Sequence, residues 1–261
     1  SNVASNIKSI GGEPFLISRL SNDNISKKII SLLNKKKIKH KIYINNKYSS
    51  SVKKRIVENN HQFLRIDDEK FVNLSKHHEN EIVKYIKKNI KSFDSLIISD
   101  YSKGLITKSL LKKIIITFYK NKKKIFTDPK SNNIENYENS NFICPNHNEF
   151  NKFLQFEKCT NNKKSIIELF KKSKSEAYII TKGSEGVTII FKDGKKIDIP
   201  QKIINVYDVT GAGDTFIAYT TYLFSKNIDL INSVKIAIYA CSKIVQKKHT
   251  AVLSSVEFQK I

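Results

Sequence analysis

The sequence predicts an α/β protein with a mostly parallel central sheet flanked by helices and a small β-sheet inserted as a lid. Three observations predict it. Short apolar runs alternate with longer amphipathic segments along most of the 261 residues, the pattern of βαβ units. Polar residues stand at the carboxyl ends of those runs, the edge at which open parallel sheets bind ligands. One stretch, about 38–68, breaks the rhythm with period-two alternation.

The elements follow in order. Ser1-Asn2-Val3-Ala4-Ser5-Asn6-Ile7 is already helix-like and the chain has no Met, so we expect a strand and turn ahead of it. Phe15 to Ser18 is a short strand after Gly11-Gly12, and Ile25 to Leu33 a helix. His40 to Ile44, Ser51 to Glu58 and Gln62 to Asp67 alternate like antiparallel strands, with Asn45-Asn46 and Asn59-Asn60 as turn residues. These form the expected lid, whose closure would exclude water from the crevice. Leu96 to Ser99 is a buried strand ending at Asp100, and Lys108 to Tyr119 a helix. Lys124 to Thr127 is a strand ending at Asp128, and Phe142 to Cys144 another ending before Pro145. Ile166 to Lys172 reads as helix, Ala177 to Ile180 as strand, and Phe216 to Phe224 as helix. Asp100, Asp128, Asn146 and Thr181 are therefore expected to line one crevice, within a single domain over 1–261.

Composition narrows the function. With 39% hydrophobic residues the chain can bury a full core. The formal charge of +23 comes from Lys spread along the whole sequence; no nucleic-acid motif accompanies it, which argues against such a partner. A basic surface does attract phosphorylated metabolites. Lys35-Lys36-Lys37 and Lys122-Lys123-Lys124 read as solvated helix ends favoured by the dipole. Cysteines 144, 159 and 241 are too scattered for a disulfide framework or a zinc site, which fits a reducing cytoplasm. His77-His78 reads as surface rather than ligand. No apolar run is long enough to span a membrane.

The most specific stretch is Asp208-Val209-Thr210-Gly211-Ala212-Gly213-Asp214-Thr215, just ahead of an apolar helix. Glycines let backbone N–H groups approach a ligand closely. The first turn of the helix offers unpaired N–H groups and positive dipole charge to a phosphoryl group. A carboxylate beside a phosphate makes sense if it binds metal or takes a proton from the attacking hydroxyl, which points to phosphoryl transfer to an alcohol. The alternative is that Asp214 caps a helix and the glycines only make a turn.

The whole string resembles the signature of the PfkB, or ribokinase-like, carbohydrate kinases. The resemblance implies a ribokinase-like fold, ATP and Mg²⁺, and Asp214 as catalytic base, with the N–H groups of Gly211, Ala212 and Gly213 stabilising the transferring phosphoryl group. Tyr219 stands where the family has Ala or Gly, a departure that bears on helix packing. Further segments resemble the branch that phosphorylates D-glycero-β-D-manno-heptose 7-phosphate. These are Asn2-Val3-Ala4 with Asn6-Ile7, Lys53 and Arg55 leading to Asn60, Gln62, Arg65 and Asp67, Asp100-Tyr101 with Lys103-Gly104, Asp128-Pro129-Lys130, Asn146 with Glu149, and Thr181 with Gly186.

That branch implies roles position by position. Asn146 and Glu149 would organise the magnesium ion and the nucleotide phosphates, Glu149 through water. Thr181, Lys182, Gly183 and Gly186 would run along the nucleotide. Lys53 and Arg55 would reach from the lid to the sugar 7-phosphate, with Asn2, Asp128 and Lys130 as further substrate contacts. Each has a structural alternative: Asn146 as a turn residue, Asp100 and Asp128 as helix caps, Lys53 and Arg55 as a solvated strand face. The implied product is heptose 1,7-bisphosphate for ADP-heptose and lipopolysaccharide core synthesis, and the implied assembly a homodimer through the lids. Rival readings are another sugar or nucleoside kinase of the family and an inactive nucleotide-binding scaffold. The family has a sugar-binding Asp and a Gly pair ahead of the Asn-Val-Ala helix that this chain lacks, and His249-Thr250 replaces a Gly before Thr near the nucleotide. No His-x-x-His nucleotidyl motif follows.

Overall fold

The computed structural model describes residues 1–46, 50–58, 61–69, 71–158, 163–201, 206–247 and 251–260, with backbone alone at 55, 57, 58, 61, 62 and 65. The chain runs α1 (Asn2–Ser9), β1 (Phe15–Leu20), α2 (Asn24–Lys35), β2 (Lys39–Ile44), β3 (Val52–Glu58), β4 (His61–Asp68) and α3 (Lys76–Asn89). It continues through β5 (Ser95–Ser99), α4 (Lys108–Lys120), β6 (Lys124–Asp128), β7 (Phe142–Ile143), α5 (His147–Phe156), α6 (Lys163–Ser173) and β8 (Ala177–Thr181). β9 (Val187–Phe191), β10 (Lys196–Ile199), α7 (Ala212–Ser225), α8 (Leu230–Ile244) and α9 (Ser255–Gln259) complete it.

Six strands form the central sheet in the order β10-β9-β8-β7-β6-β5. β5 to β8 are parallel, and β9 and β10 are added antiparallel. The strands are apolar on both sides because helices cover both faces. In β8, Ala177 and Ile179 face one core with Phe216, Ile217 and Tyr219 of α7, while Tyr178 and Ile180 face the other with Phe150, Leu169 and Phe170. The alternation in β6 matches, with Phe126 on the α7 side and Ile125 on the other. Tyr219 is fully buried, with its ring edge-on to Phe258 of α9 at 5.3 Å, so α9 completes the packing around this larger side chain.

The sequence expectation needs one correction. His40 to Ile44 does not belong to an antiparallel lid: β2 pairs in parallel with β1, Phe15 opposite Lys39 and Leu20 opposite Ile44. The physical reason is α2, a crossover helix that returns the chain in the same direction as β1. The antiparallel lid is thus the β3–β4 hairpin alone, with Lys53 opposite Asp67 and a register shift between Ile56 and Val57. Its proposed turn, Asn59-Asn60, lies outside the described residues. Ile56, Leu64 and Ile66 are exposed on it.

The lid grows from a polar clamp. Asp23 caps α2 through the Ser26 N–H at 2.7 Å, accepts from the Ser50 hydroxyl at 3.1 Å, and also takes the Ser21 hydroxyl. These bonds hold its carboxyl well below the usual carboxylate range, the Ser21 hydroxyl contributing most. Ser21, Ser26 and Ser50 are all buried there, so the chain enters the lid from a fixed point.

Candidate active site

Gly211 opens α7 in the left-handed region, φ 84°, which a residue with a Cβ reaches only under strain. That turn places Asp214 in the first helical turn, where the dipole favours a carboxylate. The Ala212 N–H is taken by the Val209 carbonyl at 3.1 Å, so of the three expected cradle donors Ala212 is occupied. For the N–H groups of Gly211 and Gly213 no backbone acceptor is found among the described residues. A Cβ on Gly213 would meet nothing within 4 Å, so this side of the turn is open. Asn2, expected to touch substrate, donates its amide to the Gly211 carbonyl at 3.4 Å. α1 is locked to α7 through buried Asn6, which receives the Thr215 hydroxyl at 3.4 Å.

The Tyr101 hydroxyl donates to Asp214 Oδ1 at 2.8 Å. Burial, and then the Asp214 charge, push the phenol's pKa upward, which keeps it a donor. The loop carrying Tyr101 is held from two sides. Asp100 accepts from the Ser102 N–H at 2.8 Å and from the Tyr137 hydroxyl at 2.9 Å. Tyr137, fully buried, in turn accepts the N–H groups of Lys130 and Ser131, each at 2.9 Å. Asp100 is therefore a loop anchor, not a helix cap. Tyr137 gives no sequence signal, because it acts from a 3₁₀ turn between elements.

Asn146 and Glu149 form a capping box at the start of α5. The Asn146 side chain accepts from the Glu149 N–H at 2.9 Å, and Glu149 Oε2 accepts from the Asn146 N–H at 3.0 Å. Asn146 is thus a helix cap where a turn residue was the alternative. The other Glu149 oxygen pairs with Lys130 Nζ at 3.1 Å. Asn146 also bridges in parallel to Thr181 at the end of β8, which brings the two expected nucleotide segments side by side.

Asp128 shows the electrostatics of the crevice. Its carboxyl pKa is pushed up to about 7, first by burial and then by Glu149 and Asp214, with Asp100 adding and Lys130 opposing. Glu149, Asp214 and Asp100 thus act together on Asp128, with Lys130 as the opposing cation. Among the described residues no group of three or more His, Cys, Asp and Glu side chains forms a metal cage. Mg²⁺ does not need one: it takes hard oxygens, keeps several waters and shares phosphate oxygens. The excess negative charge and all-oxygen donors fit that ion, with Glu149 as the group that would hold its waters.

The pH dependence of stability follows from Asp128. Folding raises the carboxyl from an ordinary 3.8 to about 7, so the fold disfavours the ionised form. Its protonated form is fully supported below pH 3.8, and that support is lost as pH rises toward about 7. Asp128→Asn, measured by urea unfolding in a chelator, is expected to match the parent near pH 4. It should be more stable by about 2–4 kcal/mol at pH 8. Equal midpoints at both pH values would refute this account.

The remaining expected residues divide. Lys182 turns from the Thr181 side to the opposite face of the sheet. There it pairs with Asp198 at 3.4 Å and lines a separate cavity of about 640 Å³ with Ile180, Phe170 and Lys196. Gly183 (φ 61°) has open space where a Cβ would stand, whereas Gly186 (φ 91°) backs directly onto the Ile199 carbonyl. Lys53 on the lid pairs with Glu69 at 3.4 Å. Arg55 lies in β3 with its side chain outside the described residues, and His249-Thr250 also lies outside them. Cys144 and Cys241 are free and buried. No helix among the described residues is long and apolar enough to cross a membrane.

Residues 1–256 match the pfkB family carbohydrate kinase profile. The chain is 31% identical over 253 residues to the bifunctional protein HldE of Aliarcobacter butzleri (strain RM4018), covering 96% of this chain and 53% of that protein. The chain thus spans about half the length of the curated relatives it matches. In fold it is similar to phosphofructokinase-2 from Escherichia coli in complex with potassium, TM-score 0.79 at 16% identity over 100% of this chain and 84% of that one. It is equally similar to ribokinase from Thermotoga maritima, TM-score 0.79 at 16% identity over 99% and 84%. At such identities the likeness is one of fold.

Proposed function

Because the chain belongs to the pfkB family of carbohydrate kinases, we propose that it transfers the γ-phosphoryl group of ATP to the anomeric hydroxyl of D-glycero-D-manno-heptose 7-phosphate. The product is the 1,7-bisphosphate, an ADP-heptose precursor for the lipopolysaccharide core. The observation that carries the chemistry is the Asp214 carboxylate at the open N-terminus of α7, held by Tyr101 at 2.8 Å. The likeness to HldE proteins at about 30% identity supports the heptose substrate.

In this reading the sugar hydroxyl sits against Asp214, which takes its proton as the oxygen attacks the γ-phosphorus and the bond to the bridging oxygen breaks to release ADP. The Gly211 and Gly213 N–H groups stabilise the charge on the transferring group. Thr181, Gly183 and Asn146 lie along the nucleotide, and Glu149 would hold, through waters, a magnesium ion that would supply charge neutralisation for the phosphates. Lys53 and Arg55 on the lid bind the 7-phosphate, while Asn2, Asp128 and Lys130 orient the sugar. The exposed Ile56, Leu64 and Ile66 suit pairing of two lids in a homodimer.

Coupled-assay turnover with heptose 7-phosphate, ribose and fructose tests the substrate. We expect kcat/KM for the phosphorylated heptose to exceed that of either free sugar by about 100-fold or more, about 3 kcal/mol of transition-state binding. Equal or better use of a free sugar would overturn the heptose reading and leave a sugar kinase of another specificity.

A further inference from the structure

Glu69 leaves the end of β4 at the base of the lid and places its carboxylate between two lysines. Oε1 lies 3.4 Å from Lys53 Nζ, and Oε2 pairs with Lys103 Nζ. The Lys103 contact, with burial opposing and the Lys53 charge adding, holds the Glu69 carboxyl below the usual carboxylate range. The acid is largely covered, its side chain 16% exposed, whereas the lysines are 40% and 36% exposed.

We infer that Glu69 is an internal stand-in for the phosphate of the sugar, displaced when substrate arrives, and that Lys103 is a second cation of that phosphate subsite. This rests on the reading of the chain as a kinase of a phosphorylated sugar. Three features support it. Lys103 belongs to the loop whose Tyr101 touches Asp214, so the subsite and the base are carried on one short segment. The backbone of that loop is fixed: buried Arg19 donates to the Lys103 carbonyl at 2.6 Å and also to the Val72 carbonyl. At Gly104, φ 82°, a Cβ would come within 2.2 Å of that Val72 oxygen. A fixed backbone with an exposed ammonium is a preorganised anion contact.

The charge count favours exchange. Glu69 is the carboxylate that meets both ammonium groups, and a phosphomonoester of charge about −1.5 to −2 matches that pair of cations better than a single carboxylate does. The two lysines are the more exposed partners, 40% and 36%, so an arriving anion can reach both ammonium groups and compete with Glu69 for them. The internal anion would also reject sugars without a phosphate, since only a competing anion can release the lysines.

The test is calorimetric titration of the full chain with inorganic phosphate at fixed ionic strength. Glu69→Gln is expected to tighten phosphate binding about threefold to fivefold, because the competitor is gone. Lys103→Gln is expected to weaken it about tenfold, and placing Lys103→Gln on Glu69→Gln should abolish the gain, which assigns the bound phosphate to this clamp. Thermal melts of each variant check the fold. A Glu69→Gln chain that binds phosphate no better, or worse, would make Glu69 a lid anchor only and overturn the inference, as would a Lys103→Gln chain of unchanged affinity. No turnover is needed, so tightened binding in a chain that ignores heptose 7-phosphate would retain the clamp while refuting the heptose substrate.

Discussion

Asp214→Asn is expected to lower kcat by about 10³-fold, within the 10²–10⁴ range of general-base catalysis, while KM for the sugar changes little. An amide keeps the shape and can still accept from the Tyr101 hydroxyl, which now lies 2.8 Å from Oδ1, but it cannot take a proton. The same change removes one of the carboxylates that raise the Asp128 pKa, so the variant should fold at least as stably as the parent at pH 8. Loss of turnover with retained stability would separate a chemical role from a capping role. If Asp214 merely capped α7, stability would fall and the residual enzyme would keep its kcat. A stopped-assay measurement of ATP consumption over pH 6–9, paired with a thermal melt, reads both quantities.

Which features were legible in the sequence depended on how local their causes are. The strands β5 to β8 announce themselves because two covered faces demand an uninterrupted apolar run, and Ile125 and Phe126 fill opposite cores from adjacent positions. The Gly211 turn is legible because only glycine tolerates its φ of 84° at little cost. The pairing of β2 was not legible, since alternation is the same in parallel and antiparallel strands and the crossover through α2 decides. β9 and β10 also passed unread: Val187 to Phe191 is one more apolar run, and only its partners make it an antiparallel addition. Among site residues, Asn146 and Glu149 were identified through the family resemblance, Asn146 also from its place after a strand, yet the same pair also builds a capping box. The facing of Lys182 follows from strand parity, which turns neighbouring Thr181 to the other side. Tyr137 and Glu69 act across long sequence separations and carry no local pattern at all.

Gly186 gives the second large effect, and its cause is structural. It reads as a nucleotide-loop glycine, but at φ 91° a Cβ would lie 2.1 Å from the Ile199 carbonyl and 2.8 Å from the Gln201 nitrogen. Both are backbone atoms, one on the last residue of β10 and one two residues beyond it, so relief requires moving the main chain, not a side chain. Gly186→Ala is expected to cost about 3 kcal/mol or more, combining left-handed strain with the clash. Gly183 provides the control: its φ is 61°, but nothing stands within 4 Å of its Cβ direction, so Gly183→Ala should cost only about 1 kcal/mol of strain. Urea unfolding of the two variants reads the difference. The two glycines also separate in kinetics: Gly183→Ala puts a methyl group on the open side of the loop and should raise KM for ATP in a well-folded chain. Gly186→Ala should reduce the amount of folded enzyme while the folded fraction keeps its KM. Equal stability costs at the two positions would mean that β10 yields freely and that the glycine pair serves nucleotide approach alone.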